Sequence, residues 1–80
     1  MNPLVLPELG TNAEPVRISA WFVEPGDWVT AGEALLEVVV AGIACEIPTL
    51  AAGRVERLVA APEALVFSGD VLAWIAESDQ

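Results

Sequence analysis

Any chemistry in this chain would have to come from carboxylates and one thiol. The chain has twelve Asp and Glu residues, a single cysteine (Cys45) and no histidine. Its basic residues are Arg17, Arg54 and Arg57, so no lysine is present. Glu24 with Asp27 and Glu33 with Glu37 have a spacing that a general acid–base pair can use. These acids lie in or beside turns marked by Pro25-Gly26 and Gly32, and no histidine, lysine or second cysteine completes a constellation. Their setting predicts solvated surface groups. Cys45 cannot close a disulfide within the chain, and without histidine a zinc site lacks its ligand set. As a nucleophile it has no basic partner, and its place in a strand predicts a small buried apolar residue. Ala31-Gly32-Glu33 is a lone turn glycine, not a phosphate-cradling loop. The chain is therefore expected to be no enzyme, with no catalytic residues and no metal site.

The charge is one-sided. Net charge is −9, with the acids spread along the chain rather than gathered into a tail. Such a surface repels nucleic-acid backbones and anionic membranes, so neither is expected as a partner. The N-terminus lacks the basic and apolar regions of a signal peptide, and no stretch has the apolar length of a membrane span. A cytoplasmic location is the default expectation.

Those residues need elements to hold them. Hydrophobic residues make up 55% of the 80, enough for one small core and one domain over residues 1–80. Proline and glycine recur at short intervals (Pro7, Gly10, Pro15, Pro25, Gly26, Gly32, Gly42, Pro48, Gly53, Pro62, Gly69), so no segment holds a helix of three turns. The pattern predicts short strands near residues 3–7, 16–24, 28–30, 34–40, 43–48, 53–60, 65–67 and 70–76. Residues 8–15 form the longest polar connection, a surface loop. Sliding the chain by 37 residues aligns Arg17 with Arg54, Pro25 with Pro62, Val29 with Val66, Gly32 with Gly69 and Leu35 with Leu72. These matches fall on turn and core positions and imply two like halves, about 1–40 and 41–80. The expectation is a pseudo-twofold molecule in which each half supplies one sheet and the sheets pack face to face.

The motifs along the chain resemble a known family. Pro7-Glu8-Leu9-Gly10 closes the first strand. Trp21-Phe22-Val23-Glu24-Pro25-Gly26-Asp27-Trp28-Val29 and Gly32 through Val38 follow. Glu46-Ile47-Pro48-Thr49-Leu50-Ala51-Ala52-Gly53 and Gly69-Asp70-Val71-Leu72-Ala73-Trp74-Ile75 complete the order. Together they resemble the lipoyl/biotinyl domain of 2-oxo-acid dehydrogenase complexes and biotin-dependent carboxylases. The resemblance implies an all-β, flattened barrel or sandwich of two four-stranded antiparallel sheets, a barrel-sandwich hybrid. It covers nearly the whole chain, with the last turn, residues 60–68, one residue longer than usual.

The departure from the family lies at one hairpin. Lipoyl domains carry Asp-Lys-Ala at its tip and biotinyl domains Met-Lys-Met, and the residues aligned with them here are Ala41, Gly42 and Ile43. The cofactor is held through an amide on the lysine amine, and Gly42 has no side chain. Val40-Ala41-Gly42-Ile43 still suits a two-residue hairpin turn, with Gly42 at positive φ. The resemblance then implies a degenerate attachment turn, with neither lipoyl nor biotinyl cofactor. The run Val38 to Ala44 is apolar where the family is polar. Either one face of it forms a contact surface, with Val39, Val40, Ala41, Gly42, Ile43 and Trp28 as its candidates, or half of it faces the core. Trp21 is expected to pack, Trp28 to be exposed, and Trp74 to replace a smaller aliphatic.

The resulting expectation is a non-catalytic, lipoyl-like interaction or structural module, with a subunit or domain of an acyl-transfer complex as partner. The alternative is a carrier domain of an acyltransferase or carboxylase whose lysine was lost or replaced. Barrels of this family without the carrier lysine also occur in periplasmic adaptor subunits of efflux and secretion systems, but with a helical hairpin inserted that this chain lacks.

Overall fold

The computed structural model describes residues 2–9 and 15–77. Gly10, quoted above at a strand end, and most of the expected 8–15 loop lie outside the described residues. Eight strands follow in order: β1 Asn2–Val5, β2 Val16–Trp21, β3 Trp28–Val29, β4 Ala34–Val40, β5 Ile43–Pro48, β6 Gly53–Leu58, β7 Leu65–Val66 and β8 Val71–Glu77. All pairings are antiparallel. One sheet has the order β1-β8-β6-β3 and the other β5-β4-β2-β7.

This order corrects one expectation. Neither half of the repeat supplies a whole sheet; each sheet takes two strands from each half. Matching β1 with β5, β2 with β6, β3 with β7 and β4 with β8 turns one sheet order into the other, so the pseudo-twofold exchanges the sheets. The reason lies in the connections. β3 does not fold back onto β4 across the four residues that separate them; it lies in the other sheet and pairs with β6. Its mate β7 likewise pairs with β2.

Alternation places the core between the sheets. Val16, Ile18, Leu36, Val38 and Ile47 from one sheet meet Leu4, Val55, Leu72, Ala73 and Ile75 from the other, all buried. Full burial of aliphatic side chains of this size stabilises by about 1.5–3 kcal/mol each before chain entropy is counted. Register shifts between Ile18 and Ala20, and between Val55 and Arg57, occur at matched places in β2 and β6. They add twist where the strands wrap the core.

The closely spaced acids hold turns. Asp27 Oδ2 accepts the Glu24 N–H at 2.8 Å, and Glu33 Oε1 accepts the Thr30 N–H at 3.0 Å. Asp70 Oδ2 accepts the Phe67 N–H at 2.9 Å. Glu24, Asp27 and Glu33 are exposed, in agreement with the surface expectation, whereas Glu37 is half-buried on β4.

Candidate functional site

The β4–β5 hairpin is the only place where consecutive strands among the described residues pair through a two-residue turn. Val40 pairs with Ile43, and the chain turns through Ala41 at φ 50 and Gly42 at φ 80. Positive φ at both central residues is the type I′ geometry, whose twist matches that of the flanking strands. The expected positive φ at Gly42 is present. Ala41 shares it, which the sequence reading did not include. The I′ turn requires both residues there, and an Ala in this region is strained by its Cβ.

The apolar run divides by the pleat. Val38 and its partner Cys45 point inward, Val38 buried and Cys45 half-buried against the core. Val40 also packs against the core from the next inward row, whereas its partner Ile43 is 65% exposed. Val39 and Ala44 pair on the outer face, half-buried and exposed respectively. Both alternatives for this run therefore hold in part: Val38, Val40 and Cys45 serve the core, while Ala41, Gly42, Ile43 and Ala44 face solvent.

The outer row continues across the sheet from Ala44 and Val39 to Arg17 of β2 and Leu65 of β7. Leu65 is 62% exposed, and Arg17 Nη1 pairs with Glu63 Oε1 at 3.3 Å. The sequence reading did not associate Arg17 or Leu65 with the hairpin, though the 37-residue shift places Leu65 on Trp28. Trp28 is 70% exposed, as expected, but it stands on β3 at an edge of the other sheet, opposite Arg54. The candidate contact residues are thus two separate surfaces.

The other tryptophans also find their places. Trp21 packs against the core, and its indole Nε1 donates to the Ala60 carbonyl at 2.8 Å. Trp74 is half-buried between Arg57 and Pro3 on the neighbouring strands.

Two interleaved four-stranded sheets exchanged by a pseudo-twofold, with a tight hairpin at one end, define the lipoyl/biotinyl class of domain. The comparisons agree. The chain belongs to the biotin/lipoyl family: the model of that family, described as biotin-requiring enzyme, matches residues 2–75. The chain is 35% identical over 75 residues, 94% of its length, to the dihydrolipoyllysine-residue acetyltransferase component of the pyruvate dehydrogenase complex of Corynebacterium glutamicum. It is 27% identical over 79 residues, 99% of its length, to the corresponding component of the acetoin cleaving system of Pseudomonas putida. It spans only 11% and 21% of those two proteins. The solution structure of the lipoyl domain of the 2-oxoglutarate dehydrogenase complex from Azotobacter vinelandii matches with a TM-score of 0.67 at 22% identity. That match covers 90% of this chain and 87% of the other, and it supports the fold. Among the described residues no helix is long and apolar enough to cross a membrane.

The family implies a lipoyl or biotinyl group on a lysine amine at a hairpin tip. The residues at this tip do not fit it. Ala41 and Gly42 offer a methyl group and a hydrogen, and none of the 80 residues is lysine.

Proposed function

We propose that this chain is a lipoyl-like module without a carrier arm, acting through protein contacts of the β4–β5 hairpin. The observation that carries this reading is the tip itself: Ala41 and Gly42 form the turn, and Ile43 projects into solvent where a polar attachment site would stand. Neither lipoate nor biotin can form its amide there. This reading includes no catalysis by the chain itself: Asp27 and Glu33 hold turns, and Cys45 is packed inward. Similarity to the two acetyltransferase components supports a subunit or domain of an acyl-transfer complex as the partner. Incubation with lipoate ligase or biotin ligase and the corresponding cofactor should leave the intact mass unchanged. A mass gain matching either cofactor overturns the reading.

The alternative, a carrier that has lost only its lysine, draws support from the turn geometry. A Cβ at Gly42 would meet nothing within 4 Å, so Gly42→Lys has room, though any L-residue at φ 80 carries backbone strain. That variant separates the two readings. The present reading expects it to be modified poorly, because Ala41 and Ile43 lack the polar flanks of a lipoyl tip. Ready modification favours the lost-lysine alternative.

A further inference from the structure

The pseudo-twofold lays the same backbone on two outer faces, so each face is a control for the other. Across β2, β4 and β5, one outer row reads Ala20, Glu37, Glu46. The matched row across β6, β8 and β1 reads Arg57, Trp74, Pro3. In the next row Arg54 matches Arg17, while Trp28 stands where the other face has Leu65. One backbone accommodates both sets, so the fold does not require two tryptophans and two arginines on one side.

The charge on that side also departs from the whole. In a chain of net charge −9, two of the three arginines lie on this sheet, whose described strands carry two glutamates, Glu56 and Glu77 at the end of β8. Glu56 is already engaged: its Oε2 accepts from Arg54 Nε at 3.2 Å and Nη2 at 2.9 Å. Arg57 is exposed and makes no ion pair with any described residue. It stands directly across from half-buried Trp74, which has exposed Pro3 on its other side. Arginine and tryptophan are residues on which interface energy concentrates. An unpaired guanidinium favours a carboxylate, and the adjoining indole and proline offer a rigid apolar shelf. Repulsion from acids elsewhere on the chain is screened over about 8 Å at physiological salt, so the local sign governs docking.

We propose that the outer face of the β1-β8-β6-β3 sheet docks a partner segment that presents a carboxylate beside an apolar side chain. Arg57 holds the carboxylate, and Trp74 with Pro3 receives the apolar group. The face belongs to the other sheet from the hairpin, and the proposal stands whether or not the hairpin reading does.

The test is a chemical-shift titration of the isotope-labelled chain with two capped peptides, Asp-Leu-Asp-Phe and Asn-Leu-Asn-Phe. Saturable shifts are expected at the Trp74 and Trp28 indoles and at residues 54–57 with the acidic peptide. The amide peptide should bind about tenfold more weakly. Arg57→Gln should weaken the acidic peptide about tenfold, while Arg17→Gln on the opposite face, at the mate of Arg54, should not. Retained spectral dispersion shows that each variant is folded. No saturable shifts, shifts centred on Glu37 and Glu46, or equal binding of the two peptides overturns the proposal. Concentration-dependent shifts of this face without peptide also overturn it, because they assign the face to a second copy of the chain.

Discussion

Ala41→Asn should stabilise the protein by about 1 kcal/mol. Ala41 sits at φ 50 and Gly42 at φ 80, so both central residues of the turn are left-handed. An ordinary L-residue pays roughly 1–2 kcal/mol there, because its Cβ crowds the neighbouring carbonyl, whereas Asn visits the region readily. Relief of about half to all of that strain sets the gain. The size of the chain converts it to temperature. Unfolding entropy of about 2 cal/mol/K per residue over 80 residues makes 1 kcal/mol equal to roughly 6 °C in Tm. The reciprocal variant, Gly42→Ala, should lose about 1 kcal/mol. Its new Cβ meets nothing within 4 Å, so the loss is conformational and not steric. Calorimetric melting of the three proteins in one buffer measures all of this. An unchanged or lower midpoint for Ala41→Asn, with Gly42→Ala neutral, refutes the type I′ turn and with it the placement of residues 41 and 42 at the tip.

Glu37 and Glu46 are directly paired across β4 and β5, a like-charge arrangement. Glu46→Arg should therefore raise the unfolding free energy read from urea curves by about 0.5–1 kcal/mol, with the gain shrinking as salt is added. Trp21→Phe removes the 2.8 Å bond to the Ala60 carbonyl and should cost about 1–2 kcal/mol in denaturant unfolding. Trp28→Ala should stay within about 0.5 kcal/mol of the parent, since its side chain is largely in water. Gly53→Ala should destabilise by about 3 kcal/mol or more, read by the same unfolding curves, because a Cβ at Gly53 would overlap the Ala76 carbonyl. Thiol labelling of Cys45 in the native protein should run slower than in the unfolded chain, given its inward, half-buried place.

The strands were legible because breakers bound each one. Pro25-Gly26, Gly32 and Gly69 fall in the turns, and the β4 and β5 bounds agree with those expected from sequence. The ends of β2 and β6 were less so. Expected to reach residues 24 and 60, they stop at Trp21 and Leu58, where Phe22 and Val59 begin the crossing to the other sheet. Apolar content alone does not mark such a departure. The repeat was visible as sequence, but its geometry was not: similarity between halves says that a symmetry operates, not which strands it pairs. Positive φ at Ala41 was hidden because propensity assigns left-handed backbone to Gly, Asn and Asp. The row from Ala44 through Val39 and Arg17 to Leu65 needed the cross-strand register, which joins residues distant in sequence.

The symmetry also separates what the fold requires from what it permits. Matched positions that agree in both halves, such as Val29 with Val66 or Leu35 with Leu72, are buried and serve the core. The turn after Pro25 uses Gly26 at φ 98, and its mate after Pro62 uses Glu63 at φ 71. The second turn thus accepts strain that the first avoids, and Glu63 is the residue that pairs with Arg17 beside the hairpin sheet. Strain of this kind persists where surrounding contacts over-determine it. If the Arg17 pair were its only return, an exposed ion pair worth about 0–1 kcal/mol would not cover a left-handed glutamate costing roughly 1–2 kcal/mol. The backbone bonds of that turn make up the difference: the Glu63 N–H donates to Ile18 at 2.8 Å, and the Ile18 N–H donates to Ala64 at 2.9 Å. The turn after Pro62 is therefore held by β2, the strand that also pairs with β4 of the hairpin. At the end of that hairpin Ala41, Gly42, Ile43 and Ala44 are exposed, while Val38 and Val40 behind them pack on the core.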